Sequence, residues 1–249
     1  MDYWIVGGDE RFRRLAGLLE ASGRSAAVAE GLPARPGEVK NLVMNCPPRG
    51  VARDAAVAAS KGGRLLLCGP GHPAPGEGVV DLWADEALVL ENARLTAEGA
   101  VSAAMRASDR ALGETRCLVV GWGRVGRALT ELLVALGARV TSASRSEAGR
   151  HRALERGAEA VDTGRVAGAL PGQGLIFNTA PAPVLGEGEL RRADRDAMLI
   201  DLASPPYGID LAAAWALGLR AWREPALPGR YCPQSAAEAL LKAIERQGL

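Results

Sequence analysis

The stretch Cys117-Leu118-Val119-Val120-Gly121-Trp122-Gly123-Arg124-Val125-Gly126 constrains this chain more than any other. Four apolar residues in a row suit a fully buried strand. Three glycines at the spacing G-x-G-x-x-G follow at once. Beyond them, Leu129, Leu132, Leu133 and Leu136 recur at helical spacing until Gly137 ends the pattern. Residues 139–143 then read as a second strand, so strand, glycine turn, helix and strand close within about 30 residues. In that context each glycine has a physical task. Gly121 permits the tight turn, Gly123 lets the backbone approach a pyrophosphate, and Gly126 lets helix and strand pack closely. Arg124 and Val125 complete the segment opening the helix, whose N-terminus offers unpaired N–H groups and the positive end of its dipole to phosphates. A glycine-rich turn without a ligand is the weaker reading, because all three glycines and both flanking strands agree.

The end of the second strand selects the nucleotide. A site for NAD has an acid about 20 residues beyond the first glycine, which holds the ribose 2′-hydroxyl. Here that place is taken by Ala143-Ser144-Arg145-Ser146, with no carboxylate. A guanidinium and two hydroxyls suit a 2′-phosphate, so the sequence predicts NADP. Two further stretches follow apolar runs. Asn178-Thr179-Ala180-Pro181 comes after residues 174–177, and Asp201-Leu202-Ala203-Ser204 comes at the end of 198–202. Both fall where open α/β sheets bind ligands, at the carboxyl ends of parallel strands. An ordinary turn explains either stretch equally well. The predicted nucleotide contacts are therefore Gly121, Gly123, Arg124, Val125, Gly126, Ser144, Arg145, Ser146, Asn178, Thr179, Ala180, Pro181, Asp201 and Ala203.

The rest of the chain repeats the alternation of strand and helix. Tyr3-Trp4-Ile5-Val6 is a strand ended by Gly7-Gly8-Asp9, and Phe12, Leu15, Ala16 and Leu19 follow at helical spacing. Residues 41–44 and 65–68 are further strands, 52–59 an alanine-rich helix, and 69–78 a loop rich in Gly and Pro. A long helix is predicted over 96–112, with Thr96 as N-cap and Glu98 in the first turn. The last helix covers 235–246, opened by the capping box Ser235-x-x-Glu238. These elements predict an α/β protein of two Rossmann-like domains with parallel sheets. Residues 1–93 form an N-terminal, substrate-side α/β domain. Residues 94–249 form the nucleotide-binding domain, with a linker helix and the C-terminal helix.

Composition removes several function classes. Thirty basic residues against 29 acidic ones give a net charge of +1, and aromatics are 4% of the 249 residues. Neither a phosphate-neutralising face nor a base-stacking surface fits those figures, so no nucleic-acid partner is predicted. The four cysteines are far apart and form no C-x-x-C pair, so no metal site is predicted. No apolar run reaches the ~20 residues that span a bilayer, so no membrane partner is predicted. The N-terminus has no signal-type segment, which together with unpaired thiols predicts a cytoplasmic protein.

Taken together, these motifs resemble the family of dipicolinate synthase A-type subunits. The resemblance rests on G-G-D-x-R (Gly7, Gly8, Asp9, Arg11), N-x-x-x-T-x-E-G (Asn92, Thr96, Glu98, Gly99), the glycine motif and A-L-G-A at 135–138. It continues through Ala143, Arg145 and Ser146, N-T-x-P at 178–181, D-L-A-S at 201–204 and L-P-G at 227–229. The stretch 24–90 departs from the pattern and is shorter. The resemblance implies a fold like that of formate and 2-hydroxyacid dehydrogenases, with substrate between the domains. It also implies NADP-dependent oxidation of a dihydrodipicolinate precursor to dipicolinate during sporulation, beside a flavoprotein-like B-type partner, in a homo-oligomer.

Histidine occurs only at 72 and 151, and lysine only at 40, 61 and 242. A histidine acid/base is therefore not predicted: His151 reads as an exposed helix residue and His72 as a loop residue. The catalytic candidates are Glu98 as base, with Thr96 beside it, and Arg11 and Arg49 as partners for the carboxylates of the substrate. The rival reading is a non-catalytic NADP-binding or scaffold subunit of a synthase complex, which would use the same glycines.

Overall fold

A computed structural model of the chain describes residues 1–34, 38–45, 63–69 and 78–249. The helix predicted at 52–59, Arg49, Lys61 and His72 lie outside the described residues. In chain order the first elements are β1 (Tyr3–Val6), α1 (Glu10–Ala21), β2 (Ala26–Ala29), β3 (Asn41–Met44), β4 (Arg64–Leu67), β5 (Val79–Asp81) and α2 (Glu86–Ala107). Next come β6 (Arg116–Val120), α3 (Arg124–Ala135), β7 (Arg139–Ser144), α4 (Glu147–Glu155), β8 (Glu159–Asp162) and β9 (Leu175–Asn178). The chain continues with α5 (Glu187–Leu190), β10 (Met198–Asp201), α6 (Leu211–Ala216), β11 (Arg220–Arg223), α7 (Leu227–Tyr231) and α8 (Pro233–Arg246).

Two units result: Met1–Leu95 with Pro228–Leu249, and Thr96–Leu227. The sequence places all of 94–249 in the nucleotide domain, but the segment from Pro228 onward joins the first unit. Packing is the cause. Ala237, Leu240, Ala243 and Ile244 of α8 are buried in one apolar core with Phe12, Leu15 and Leu19 of α1. The small alanines let the two helices approach closely, and each fully buried Leu or Ile stabilises by about 1.5–3 kcal/mol. Helix α8 starts at Pro233, a residue suited to the first helical turn, with Cys232 at the N-cap, so Ser235 is inside the helix and caps nothing at its start.

The first unit carries a five-stranded sheet in the order β2-β1-β3-β4-β5, all pairs parallel. The second carries a six-stranded sheet in the order β11-β10-β9-β6-β7-β8, also parallel throughout. Read from its β8 edge, that is the doubly wound dinucleotide-binding order, with the reversal between β6 and β9. The register levels the strand ends: Val120 lies opposite both Ala143 and Asn178, and Asn178 lies opposite Asp201. The residues that follow these strands therefore emerge in one row.

The long helix begins ten residues before its predicted start. Asp85 caps it, its Oδ1 accepting from the N–H groups of Ala87 (2.9 Å) and Leu88 (3.2 Å). Its Oδ2 pairs with Arg246 at the end of α8. Thr96 and Glu98 thus lie in the helix interior: Thr96 is not the N-cap and Glu98 is not in the first turn, contrary to the sequence expectation.

Candidate nucleotide-binding site

At the end of β6 the chain turns through Gly121, whose φ of 104° lies in the left-handed region that favours glycine. A Cβ there would stand 2.6 Å from Thr179 Oγ1. Gly126, in the first turn of α3, faces the same spot: a Cβ would collide with the Gly121 carbonyl and reach Thr179 Oγ1 at 2.8 Å. Thr179 fixes this packing by donating its hydroxyl to Val120 O at 3.0 Å. Gly123 differs. It is the N-cap of α3, and a Cβ there would meet nothing within 4 Å. The open space lies against the first turn of α3, where the N–H groups have no intrahelical acceptor. Two glycines are thus required by packing, and the third leaves room for a ligand.

A cavity of about 520 Å³ opens at this turn. Its wall includes Gly121, Gly123, Ser144, Arg145, Ser146, Thr179, Ala180 and Pro181, eight of the predicted nucleotide contacts. It also includes Trp122, Thr163, Ala182 and Val184, which are not among the predicted contacts. Trp122 sits at a variable position inside the glycine motif, and its Cδ1 would lie 3.1 Å from a Cβ at Gly149. Such an aromatic inside the motif is the one signal that could have marked it. Among the described residues, no carboxylate stands on the wall. Arg145 is exposed, and its guanidinium makes no hydrogen bond or ion pair among the described residues. Ser146 caps α4, accepting from Gly149 N at 3.1 Å.

Arg124, Val125, Gly126, Asn178, Asp201 and Ala203 do not line the cavity. Asn178 and Asp201 are buried and turned to each other. Asn178 Nδ2 donates to Asp201 Oδ1 at 2.8 Å and to Ala180 O at 3.0 Å, and its Oδ1 accepts from Ala180 N at 3.2 Å. Asp201 also accepts from the N–H groups of Ala203 (3.1 Å), Gly208 (3.0 Å) and Ile209 (3.0 Å). They shape the wall from behind.

The remaining candidates fall elsewhere. Arg11 is nine-tenths buried; its Nη2 and Nε bind Asp9 at 2.9 and 3.1 Å, and its guanidinium lies 5.0 Å from the Phe12 ring. The Asp9 carboxylate in turn abuts Gly229, where a Cβ would come within 2.9 Å. Arg11 is therefore a neutralised residue in the first turn of α1 rather than an unpaired carboxylate receptor. Thr96 and Glu98 are half-buried on α2. His151 is exposed on α4, as predicted, and its Nδ1 lies 3.3 Å from Glu155. Lys40 pairs with Asp2 at 2.8 Å; this contact, with that of Ser25, holds the Asp2 carboxyl well below the usual carboxylate range.

No protein-family model matches the chain. The A-type subunit of dipicolinate synthase from Bacillus subtilis (strain 168) is 28% identical over 168 residues, which are 68% of this chain and 57% of that protein. The match thus spans well under two thirds of the relative's length. Among solved structures, the dipicolinate synthase A-type subunit from Bacillus halodurans superposes with a TM-score of 0.81 at 21% identity, covering 99% of this chain and 97% of the other. A D-isomer specific 2-hydroxyacid dehydrogenase from Lactobacillus delbrueckii, in its NAD complexed form, gives 0.61 at 13% identity, covering 99% and 96%. The chain is similar to the dipicolinate synthase A-type subunits in sequence and in fold, and shares the fold of the dehydrogenase.

Proposed function

We propose that this chain is an NADP-dependent oxidoreductase of the dipicolinate synthase A-type, oxidising a cyclic dihydrodipicolinate precursor to dipicolinate during sporulation. One observation carries the nucleotide: at the end of β7 the cavity wall holds Arg145, unpaired among the described residues, and two hydroxyls where an NAD site has an acid. Gly123 supplies the fit for the pyrophosphate, since its side of the turn is open. Bound NADP⁺ would accept a hydride; the substrate loses that hydride and a proton and becomes an aromatic pyridine. The protein's part is to hold the nucleotide against α3 and to exclude a rival charge from the 2′-phosphate. Glu98 is the carboxylate proposed to take the proton. A cytoplasmic homo-oligomer working beside a flavoprotein-like B-type partner completes the proposal. The sequence similarity to a protein that bears the name of a synthase subunit supports it.

Among the described residues, the cavity wall carries no histidine, lysine or carboxylate. That favours a second reading, a nucleotide-binding or scaffold subunit with no acid–base chemistry of its own. Purified protein mixed with NADP⁺ and dihydrodipicolinate separates the two. NADPH absorbance should rise with the chain alone or with its partner present; binding without turnover in both cases leaves the scaffold reading. The nucleotide is tested separately by Arg145→Asp, which should weaken NADP⁺ at least about tenfold more than NAD⁺, because it replaces a phosphate partner by a like charge. Equal loss for both nucleotides would overturn the assignment.

A further inference from the structure

Arg150 lies on α4 and is not part of the cavity wall. Its Nη1 nevertheless donates to three oxygens that define that wall's edge: Ser144 O at 2.9 Å, Arg145 O at 3.1 Å and Asp162 Oδ2 at 2.5 Å. Asp162 ends β8, directly beside Ser144 in the parallel register. The residue after it, Thr163, is on the wall. The other oxygen of Asp162 accepts from Gly164 N at 2.8 Å. A carboxylate thus stands at the strand end next to Arg145, where it could receive a ribose hydroxyl or repel a 2′-phosphate, and both its oxygens are engaged.

We infer that Arg150 is a positioning residue for the choice between NADP and NAD. It cancels the charge of Asp162 and anchors the peptide groups of Ser144 and Arg145, so that the Arg145 guanidinium meets the 2′-phosphate without a competing acid. This rests on the NADP reading above. The pair is partly solvated, with side-chain exposures of 27% and 41%, so its effect on overall stability is small. Its effect on a dianionic phosphate nearby is not, because close like charges in a half-exposed site cost about tenfold or more in affinity.

The test uses the full chain and dissociation constants for NADP⁺ and NAD⁺, with melting temperature as a control on folding. Arg150→Met should weaken NADP⁺ about tenfold or more while NAD⁺ changes less than about twofold. Adding Asp162→Asn to Arg150→Met should restore most of the NADP⁺ affinity, because the released charge is gone. A residue that merely braces the loop would lose both nucleotides equally, and Asp162→Asn would rescue nothing; either result overturns the inference. Should Arg150→Met not fold, Arg150→Gln carries the same comparison with a smaller change of shape. Arg145→Ala separates the two levels. If it leaves the NADP⁺/NAD⁺ ratio unchanged, the NADP reading itself fails. If it erases the ratio while Arg150→Met leaves it intact, only the role of Arg150 is wrong.

Discussion

Asn178 and Asp201 join the carboxyl ends of β9 and β10 through one hydrogen bond of 2.8 Å, with both side chains sealed from solvent. Together they satisfy the N–H groups of Ala180, Ala203, Gly208 and Ile209. Asp201→Ala would strand three backbone donors and one N–H of the Asn178 carboxamide in a dry site. Hydrogen bonds to a charged group contribute about 1.5–3 kcal/mol each, and a stranded buried donor costs about 1–3 kcal/mol. Urea unfolding of Asp201→Ala should therefore show a loss of at least about 3 kcal/mol. A loss under about 1 kcal/mol would mean that water replaces the carboxylate.

The three motif glycines should separate by property. At Gly126 a Cβ would collide with the Gly121 carbonyl, a backbone atom that cannot swing aside. Gly126→Ala should cost on the order of 1–3 kcal/mol of stability, as overpacking does. Gly123→Val enters open space, so the variant should keep its melting temperature and lose nucleotide binding. Retained NADP⁺ affinity in folded Gly123→Val would show that the open side of this turn is not the phosphate site.

The motif was legible because glycine at these places is demanded by close approach, a constraint that sequence displays directly. What sequence concealed has physical reasons too. The strands that apolar runs did not mark are β2, β5, β8 and β11, the four sheet edges, and their residues are mostly half-buried or exposed. An edge strand buries less, so it needs no continuous apolar run. Thr96 followed by Glu98 imitates a helix start, yet Asp85 supplies the cap in the structure. The placement of α8 depends on its contact with α1, far away in sequence. Thr163, Ala182 and Val184 reach the cavity by strand order alone, and their residue types carry no signal.

Glu98 sits twelve residues past the first residue of its helix, Glu86, so a test of this residue probes chemistry rather than capping. Glu98 lies within α2, so Glu98→Gln should move stability little through any dipole. As a general base the carboxylate would contribute roughly 10²–10⁴-fold in rate. Turnover of Glu98→Gln should fall by that order while NADP⁺ affinity holds. Undiminished turnover removes Glu98 from the proposed chemistry.

Cys117 offers a readout of the β6 core that is independent of any ligand. Its side chain is wholly buried in the central strand, and burial pushes the thiol up to about 12. The unfolded chain ionises the same thiol near ~8.5. Below that pH both states hold the proton and the group is neutral in the balance. Above it the unfolded state releases its proton while the folded state keeps it, so stability falls with rising pH until the folded thiol also ionises, near 12. The slope for one such group is about 1.4 kcal/mol per pH unit. Urea melts at pH 8, 9 and 10, for the parent and for Cys117→Ala, isolate it from the other titrating groups. The parent should lose about 1 kcal/mol per unit more than the variant over the upper interval. In the folded state the thiol should resist iodoacetamide at pH 8 and react only after denaturation. Parallel pH profiles for parent and variant would mean that water reaches Cys117, and that β6 is less tightly covered than its packing indicates.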